Sequence, residues 1–160
     1  MVTIDLEVQI ATTAKTLPHP AQIKQWVSEA LSEIEQDVEL LIRIVDKEEI
    51  HDLNKRYRKK DKPTNVLSFP HKMIADFDFM TLGDIILCAP VIEEEASQQG
   101  KDLFAYWAHM VVHGCLHLLG YMHDDHESAN IMEGLETEIM LKLGLPAPYS
   151  YTIMTKDDAE

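Results

Sequence analysis

Five of the chain's eight histidines, His109, His113, His117, His123 and His126, lie within 18 residues. A neutral imidazole is a metal ligand and a proton carrier near pH 6.5, so this density points to metal or acid–base chemistry. The spacing favours metal. His109, His113 and His117 fall at i, i+4 and i+8, on one face of any helix that contains them. Consecutive turns set two such residues roughly 5–6 Å apart at their Cβ atoms, close enough to share an ion. Gly120 ends that helix, and a reversed chain then brings His123 round. The pattern His113-x3-His117-x2-Gly120-x2-His123 has the ligand spacing of the metzincin zinc site. Three nitrogen ligands and an open fourth position describe a catalytic rather than a closed structural zinc site. His126 competes with His123 as the third ligand, but only His123 keeps that spacing. His109 lies one turn before the site, where support of the ligands from behind and plain packing are equally good readings.

The residue after the first ligand separates this pattern from a protease. Metzincins carry a general-base glutamate there, and this chain has Gly114. Glycine in mid-helix costs about 1 kcal/mol relative to alanine, so something must approach the helix backbone at that point. A metal on three histidines still lowers the pKa of its water toward about 7. Peptide hydrolysis, however, would lack its proton acceptor.

A second cluster is basic. Lys55, Arg56, Arg58, Lys59, Lys60 and Lys62 supply six of the 14 positive charges within eight residues, whereas residues 121–160 hold nine acids and two bases. Alone, a charge run is most often a solvated helix end. Beside a metal site an arginine gains a second meaning. Its planar fork fits phosphate oxygens and offsets charge that develops in phosphoryl transfer. Three histidines and an arginine fit a phosphodiester better than a peptide.

The elements that carry these residues follow from periodicity. Residues 2–10 put Val2, Ile4, Leu6, Val8 and Ile10 on one side, a period-two strand. Pro20 opens a helix over 20–35, with Ile23, Trp26, Val27, Ala30, Leu31 and Ile34 on its apolar stripe. Residues 38–45 are apolar on both faces, as in a central strand. A short helix with Ile50, Leu53 and Tyr57 inward runs into the basic cluster and is ended by Pro63. Residues 66–69 and 85–87 predict strands, with a loop over 71–81 between them. Helices are predicted at 91–99, at 102–119 with its stop at Gly120, and at about 126–143 before Gly144. Four strands and five helices, without repeats or linkers, give one α/β or α+β domain over residues 1–160, with 150–160 as a loose tail.

The chain's 160 residues are 46% apolar and 26% charged, an ordinary globular composition. Against 28 Asp+Glu, the 14 Lys+Arg leave a net charge of −14. That excludes a protein gripping nucleic acid with a basic coat, though not one local basic site on an acidic body. Cys88 and Cys115 are too few for a disulfide framework. The N-terminal residues lack a basic segment followed by an apolar one. No stretch approaches the roughly 18 apolar residues of a membrane span. A soluble, cytoplasmic protein without membrane association is expected.

The segment His113-Gly-Cys-Leu-His117-Leu-Leu-Gly120-Tyr-Met-His123 resembles the signature of the YbeY family of bacterial endoribonucleases, also called rRNA maturation factors. Tyr57-Arg58-Lys-Lys-Asp61-Lys-Pro63-Thr64-Asn65-Val66-Leu67-Ser68-Phe69-Pro70 resembles the same family's second block. Leu82-Gly83-Asp84-Ile85 and Met132-Glu-Gly-Leu-Glu136-Thr-Glu-Ile139 resemble two weaker ones. The resemblance spans almost the whole chain. It implies a zinc-dependent, single-strand-selective endoribonuclease acting in 16S rRNA 3′-end maturation and ribosome quality control. It implies one Zn2+ per chain on His113, His117 and His123, Arg58 as the catalytic residue, and an α+β fold with a small mixed sheet flanked by helices. Lys59, Lys60 and Lys62 become candidates for substrate binding. The partners implied are single-stranded rRNA and the ribosomal small subunit or its proteins, and not DNA. Met122 stands where the family usually has Asp, leaving Asp124 or Asp125 to stand in for that carboxylate. Cys115 takes a position usually held by Ser or Thr, and it points away from the 113/117 face as a packing residue.

Two rival readings stand beside this one. A metalloprotease is favoured by the metzincin spacing and opposed by Gly114. A non-catalytic ribosome-assembly factor would use zinc only to hold its fold. For RNA cleavage, either a metal-activated water or the RNA's own 2′-hydroxyl attacks, and a 2′,3′-cyclic phosphate product marks the latter. The acidic exterior predicts weak affinity for naked RNA, with selectivity coming from a partner.

Overall fold

The computed structural model describes residues 2–71 and 79–149, apart from the side chains of Phe79 and Met80. Its elements run β1 (Ile4–Ala11), α1 (Pro20–Ala30), β2 (Asp37–Val45), α2 (Lys47–Arg58), β3 (Val66–Pro70), β4 (Phe79–Cys88), α3 (Ala89–Gln99), α4 (Leu103–Leu118) and α5 (His126–Lys142). The strands form one mixed sheet in the order β1-β2-β4-β3. β1 and β4 pair parallel with β2, while β3 pairs antiparallel with β4. This is the single α+β domain that the resemblance implied. Among the described residues no helix is long and apolar enough to cross a membrane.

The strand expected to be central is central, and its pattern says why. Val38, Leu40, Ile42 and Ile44 are buried on one face of β2, whereas Glu39, Leu41 and Arg43 on the other are half-buried. The buried face joins Ile85 and Leu87 of β4, and α1, α4 and α5 close over it as the main core. Each such side chain contributes roughly 1.5–3 kcal/mol when fully buried. The opposite face carries a smaller cluster, in which Ile50 of α2 covers Val45, Leu67, Ile86 and Cys88. β1 is an edge strand, and Ile10 at its end is 52% exposed.

Several boundaries differ from the periodicity. α1 stops at Ala30, although Leu31 beyond it stays buried. β4 begins at Phe79, inside the stretch expected to be a loop, because β2 pairs with it over its whole length. Residues 72–78 of that stretch, and the expected tail at 150–160, lie outside the described residues. α2 ends at Arg58 rather than near Pro63, where Lys59 adopts a left-handed φ of 61°. Tyr57 is not inward. It is 58% exposed, with its ring edge-on to Phe69 at 5.5 Å, and Asn54 takes the buried position beside Ile50. A polar residue is tolerated there because the Asn54 side-chain amide donates to the Lys62 carbonyl at 2.8 Å.

Candidate metal centre

α4 is buried almost all round, from Ala105 to Val112 and from Gly114 to Leu116, since it lies between the sheet and other helices. His113 and His117 occupy the half-open strip that remains. The helix ends in a Schellman turn. Gly120 has φ +101°, the Tyr121 N–H donates to Leu116 O at 3.0 Å, and the Gly120 N–H donates to His117 O at 3.0 Å. Glycine adopts that backbone without steric cost. The reversal returns His123 to the strip. Ring centroids are 4.5 Å apart for His113–His117, 4.9 Å for His117–His123 and 5.5 Å for His113–His123. One ligand nitrogen from each lies within 4.8 Å of the others, so the three can hold a metal ion. His126 opens α5 instead and stands outside this group.

Tautomers make the fit stronger than proximity does. His117 Nδ1 lies 2.8 Å from the Tyr121 carbonyl oxygen. A carbonyl only accepts, so this nitrogen carries the hydrogen. His113 Nδ1 lies 2.5 Å from Glu136 Oε2. Burial pushes the Glu136 carboxyl up, but hydrogen bonds and charge from His109 and His113 outweigh it and hold it at about 2. Glu136 is therefore also an acceptor. With both rings neutral, both Nε2 atoms are left with lone pairs, and they face each other at 3.0 Å. Lone pairs this close repel and call for a cation between them. Burial, and then the neighbouring His113, lowers the His117 pKa to about 4, so near neutrality His117 keeps its Nε2 lone pair free for a cation. The donor set fits a divalent ion that accepts imidazole, such as zinc.

Arg58 comes to this site through the sheet. Its Nη2 donates to Ser68 O on β3 at 3.2 Å, and Ser68 Oγ donates to Gly114 O on α4 at 3.3 Å. Arg58, Lys60 and Lys62 line one cleft of about 290 Å³ together with the three histidines. The early end of α2 turns the chain so that Lys60 and Lys62 reach it. Lys59 does not line the cleft, and Arg56 pairs with Asp52 at 3.0 Å instead. A larger cavity of about 660 Å³ lies elsewhere, where Asp46, Glu48, Glu49, Asp52 and Asp61 outnumber Lys55 and His51. Its charge has the wrong sign for a phosphodiester.

Gly114 owes its place to packing. A Cβ there would stand 2.8 Å from Ile85 Cγ2 on β4, so the strand is what approaches the helix. A glutamate has no room at that position. Cys115 is fully buried in the main core, and burial pushes its thiol up to about 12. Met122 is 49% exposed. Asp125 does not replace its missing carboxylate, because it caps α5 by accepting from the Ser128 N–H at 2.8 Å.

Periodicity and spacing did not single out Glu136. Its signal was an acid on the apolar stripe of α5, at helical spacing with Met132, Ile139 and Met140, all buried. His109 is 6% exposed, and its Nε2 lies 3.3 Å from Glu136 Oε1. One carboxylate thus separates it from His113.

The family model described as endoribonuclease YbeY matches residues 8–144 of this chain. Among solved structures, the chain is similar to TM1509 from Thermotoga maritima, known from a solution structure. The TM-score is 0.56 at 26% identity, over 92% of this chain and 99% of that one.

Proposed function

The chain belongs to the YbeY endoribonuclease family, and on that footing we propose that it is a zinc-dependent, single-strand-selective endoribonuclease of 16S rRNA 3′-end maturation and ribosome quality control. It works in the cytoplasm, on rRNA presented by the ribosomal small subunit or its proteins. The observation that carries this reading is the convergence of His113, His117 and His123 with Arg58, Lys60 and Lys62 on one cleft of an otherwise acidic chain.

His113, His117 and His123 hold one ion. When bound, it supplies Lewis acidity at a phosphodiester oxygen. Arg58 is the catalytic residue. Ser68 O fixes its guanidinium by one N–H, and the remaining donors bind the non-bridging oxygens and offset charge as it grows there. Lys60 and Lys62 hold neighbouring phosphates in register. Lys59, placed off the cleft, has no part in this step. The small number of cationic contacts suits a substrate delivered by a partner better than one captured from solution.

The test uses the whole chain with a single-stranded RNA and a peptide library, each with and without chelator. RNA cleavage that chelator stops, and that His113→Ala and Arg58→Ala abolish with the fold retained, supports the proposal. Peptide cleavage would overturn it in favour of a protease. No cleavage, with unfolding on chelation, would leave a zinc-held assembly factor.

A further inference from the structure

We propose that Glu136 and Tyr149 are positioning residues for the metal centre, with Glu136 aligning His113 and the Tyr149 hydroxyl aligning Glu136. This inference rests on His113 being a ligand.

Glu136 is 0% exposed, yet it is a carboxylate in an apolar core. Such a group is strongly destabilising unless its oxygens are filled, and here they are filled with a division of labour. Oε2 takes the His113 Nδ1 hydrogen at 2.5 Å. Oε1 accepts from the Tyr149 hydroxyl and lies 3.3 Å from His109 Nε2. The His109 ring also stands edge-on to that of Tyr149 at 5.5 Å. One oxygen is thus committed to the ligand, and the other to residues that hold the carboxylate still.

The chain reaches that arrangement by a second Schellman turn. After α5, Gly144 has φ +77°, and the Leu145 N–H donates to Met140 O at 2.9 Å. The chain doubles back, and Lys101 Nζ donates to Pro148 O at 3.0 Å, next to Tyr149. The segment behind the site is therefore pinned to the turn just before α4, the helix that carries His113. A hydrogen bond from a ligating histidine to a carboxylate fixes its tautomer and ring plane and raises its basicity. Loss of such a partner typically weakens metal binding about 10–100-fold.

The experiment is a titration of metal-free protein with Co2+ and Zn2+, without RNA, alongside its denaturant unfolding. Glu136→Gln keeps the size of the side chain but replaces one acceptor with an amide donor. We expect binding about 10–100-fold weaker and an altered Co2+ absorption spectrum. Tyr149→Phe keeps the ring contact with His109 and removes only the hydroxyl. A weakening of several-fold is expected, with the metal-free unfolding midpoint close to that of the parent. If Glu136→Gln does not fold, Tyr149→Phe decides. Unchanged affinity and spectrum in folded variants overturns the inference while leaving the nuclease reading intact. A parent chain that binds neither ion overturns both.

Discussion

The methyl carbon Cγ2 of Ile85 lies where a Cβ on Gly114 would be only 2.8 Å away, which seats α4 directly on β4 beside the first histidine ligand. The Ile85 side chain is buried and β-branched, so it has little freedom to move aside. The same contact removes the side chain that a metzincin uses as its base.

Gly114→Ala should therefore destabilise the protein even though alanine is the better helix former by about 1 kcal/mol. Overpacking costs typically 1–3 kcal/mol, for an expected net loss of up to about 2 kcal/mol in denaturant unfolding. Combining it with Ile85→Ala should recover part of that loss in a double-mutant cycle. A stable Gly114→Ala with additive behaviour would show that the contact is not the reason for the glycine.

Arg58→Ala should cost RNA cleavage on the order of 10²–10³-fold, the range for losing one donor aimed at developing charge. Affinity for the metal should change little, since Arg58 is hydrogen-bonded to Ser68 O rather than to a ligand nitrogen. Arg58→Lys should restore little, because an ammonium cannot reproduce the fork. Full activity in Arg58→Lys would argue that only positive charge is needed there.

Lys60→Ala and Lys62→Ala should each weaken binding to single-stranded RNA and shallow its salt dependence by roughly 0.7 in log–log slope. Lys59→Ala should do neither, because Lys59 is not among the residues that line the cleft. Equal effects from all three would show that the run acts as a diffuse charge rather than as two placed contacts.

Metal removal should stop cleavage without unfolding the chain, because the main core is closed by apolar side chains from the sheet and helices. An ion bound only to the folded state, at 100 times its dissociation constant, adds about 2.7 kcal/mol. Thermal unfolding should shift downward on chelation while far-ultraviolet dichroism at 25 °C stays the same. Collapse of the dichroism would mark a structural zinc.

The metal-free protein should lose stability as pH falls from 6.5 toward 4. His117 takes up a proton near 6.5 in the unfolded chain, but only at about 4 when folded. Over that window the unfolded state binds more protons, so stability rises with pH. Glu136, held at about 2, adds a further loss below 4.5. Denaturant midpoints between pH 7.5 and 4 would show the first step, and His117→Gln should flatten it. An unchanged slope in that variant would place the titration elsewhere.

The sequence by itself determined the histidine group that could hold a metal ion and the helix that carries most of it. Those features are local: i, i+4 spacing and a helix-ending glycine act over a few residues, where backbone geometry decides the outcome. It also determined β2 as a central strand from its run of apolar residues, although only the face of Val38, Leu40, Ile42 and Ile44 is fully buried. Only the tertiary structure decided which basic residues share a cleft with the three histidines, because that depended on α2 stopping at Arg58 rather than near Pro63. It alone decided that Gly114 serves packing and that Tyr57 lies outward. It also placed Glu136 and Tyr149 behind His113. Those relationships join residues far apart in the chain, and no periodicity records them. They come from the antiparallel pairing of β3 with β4 and from the turn after α5, where burial of apolar faces brings distant polar groups within hydrogen-bonding distance.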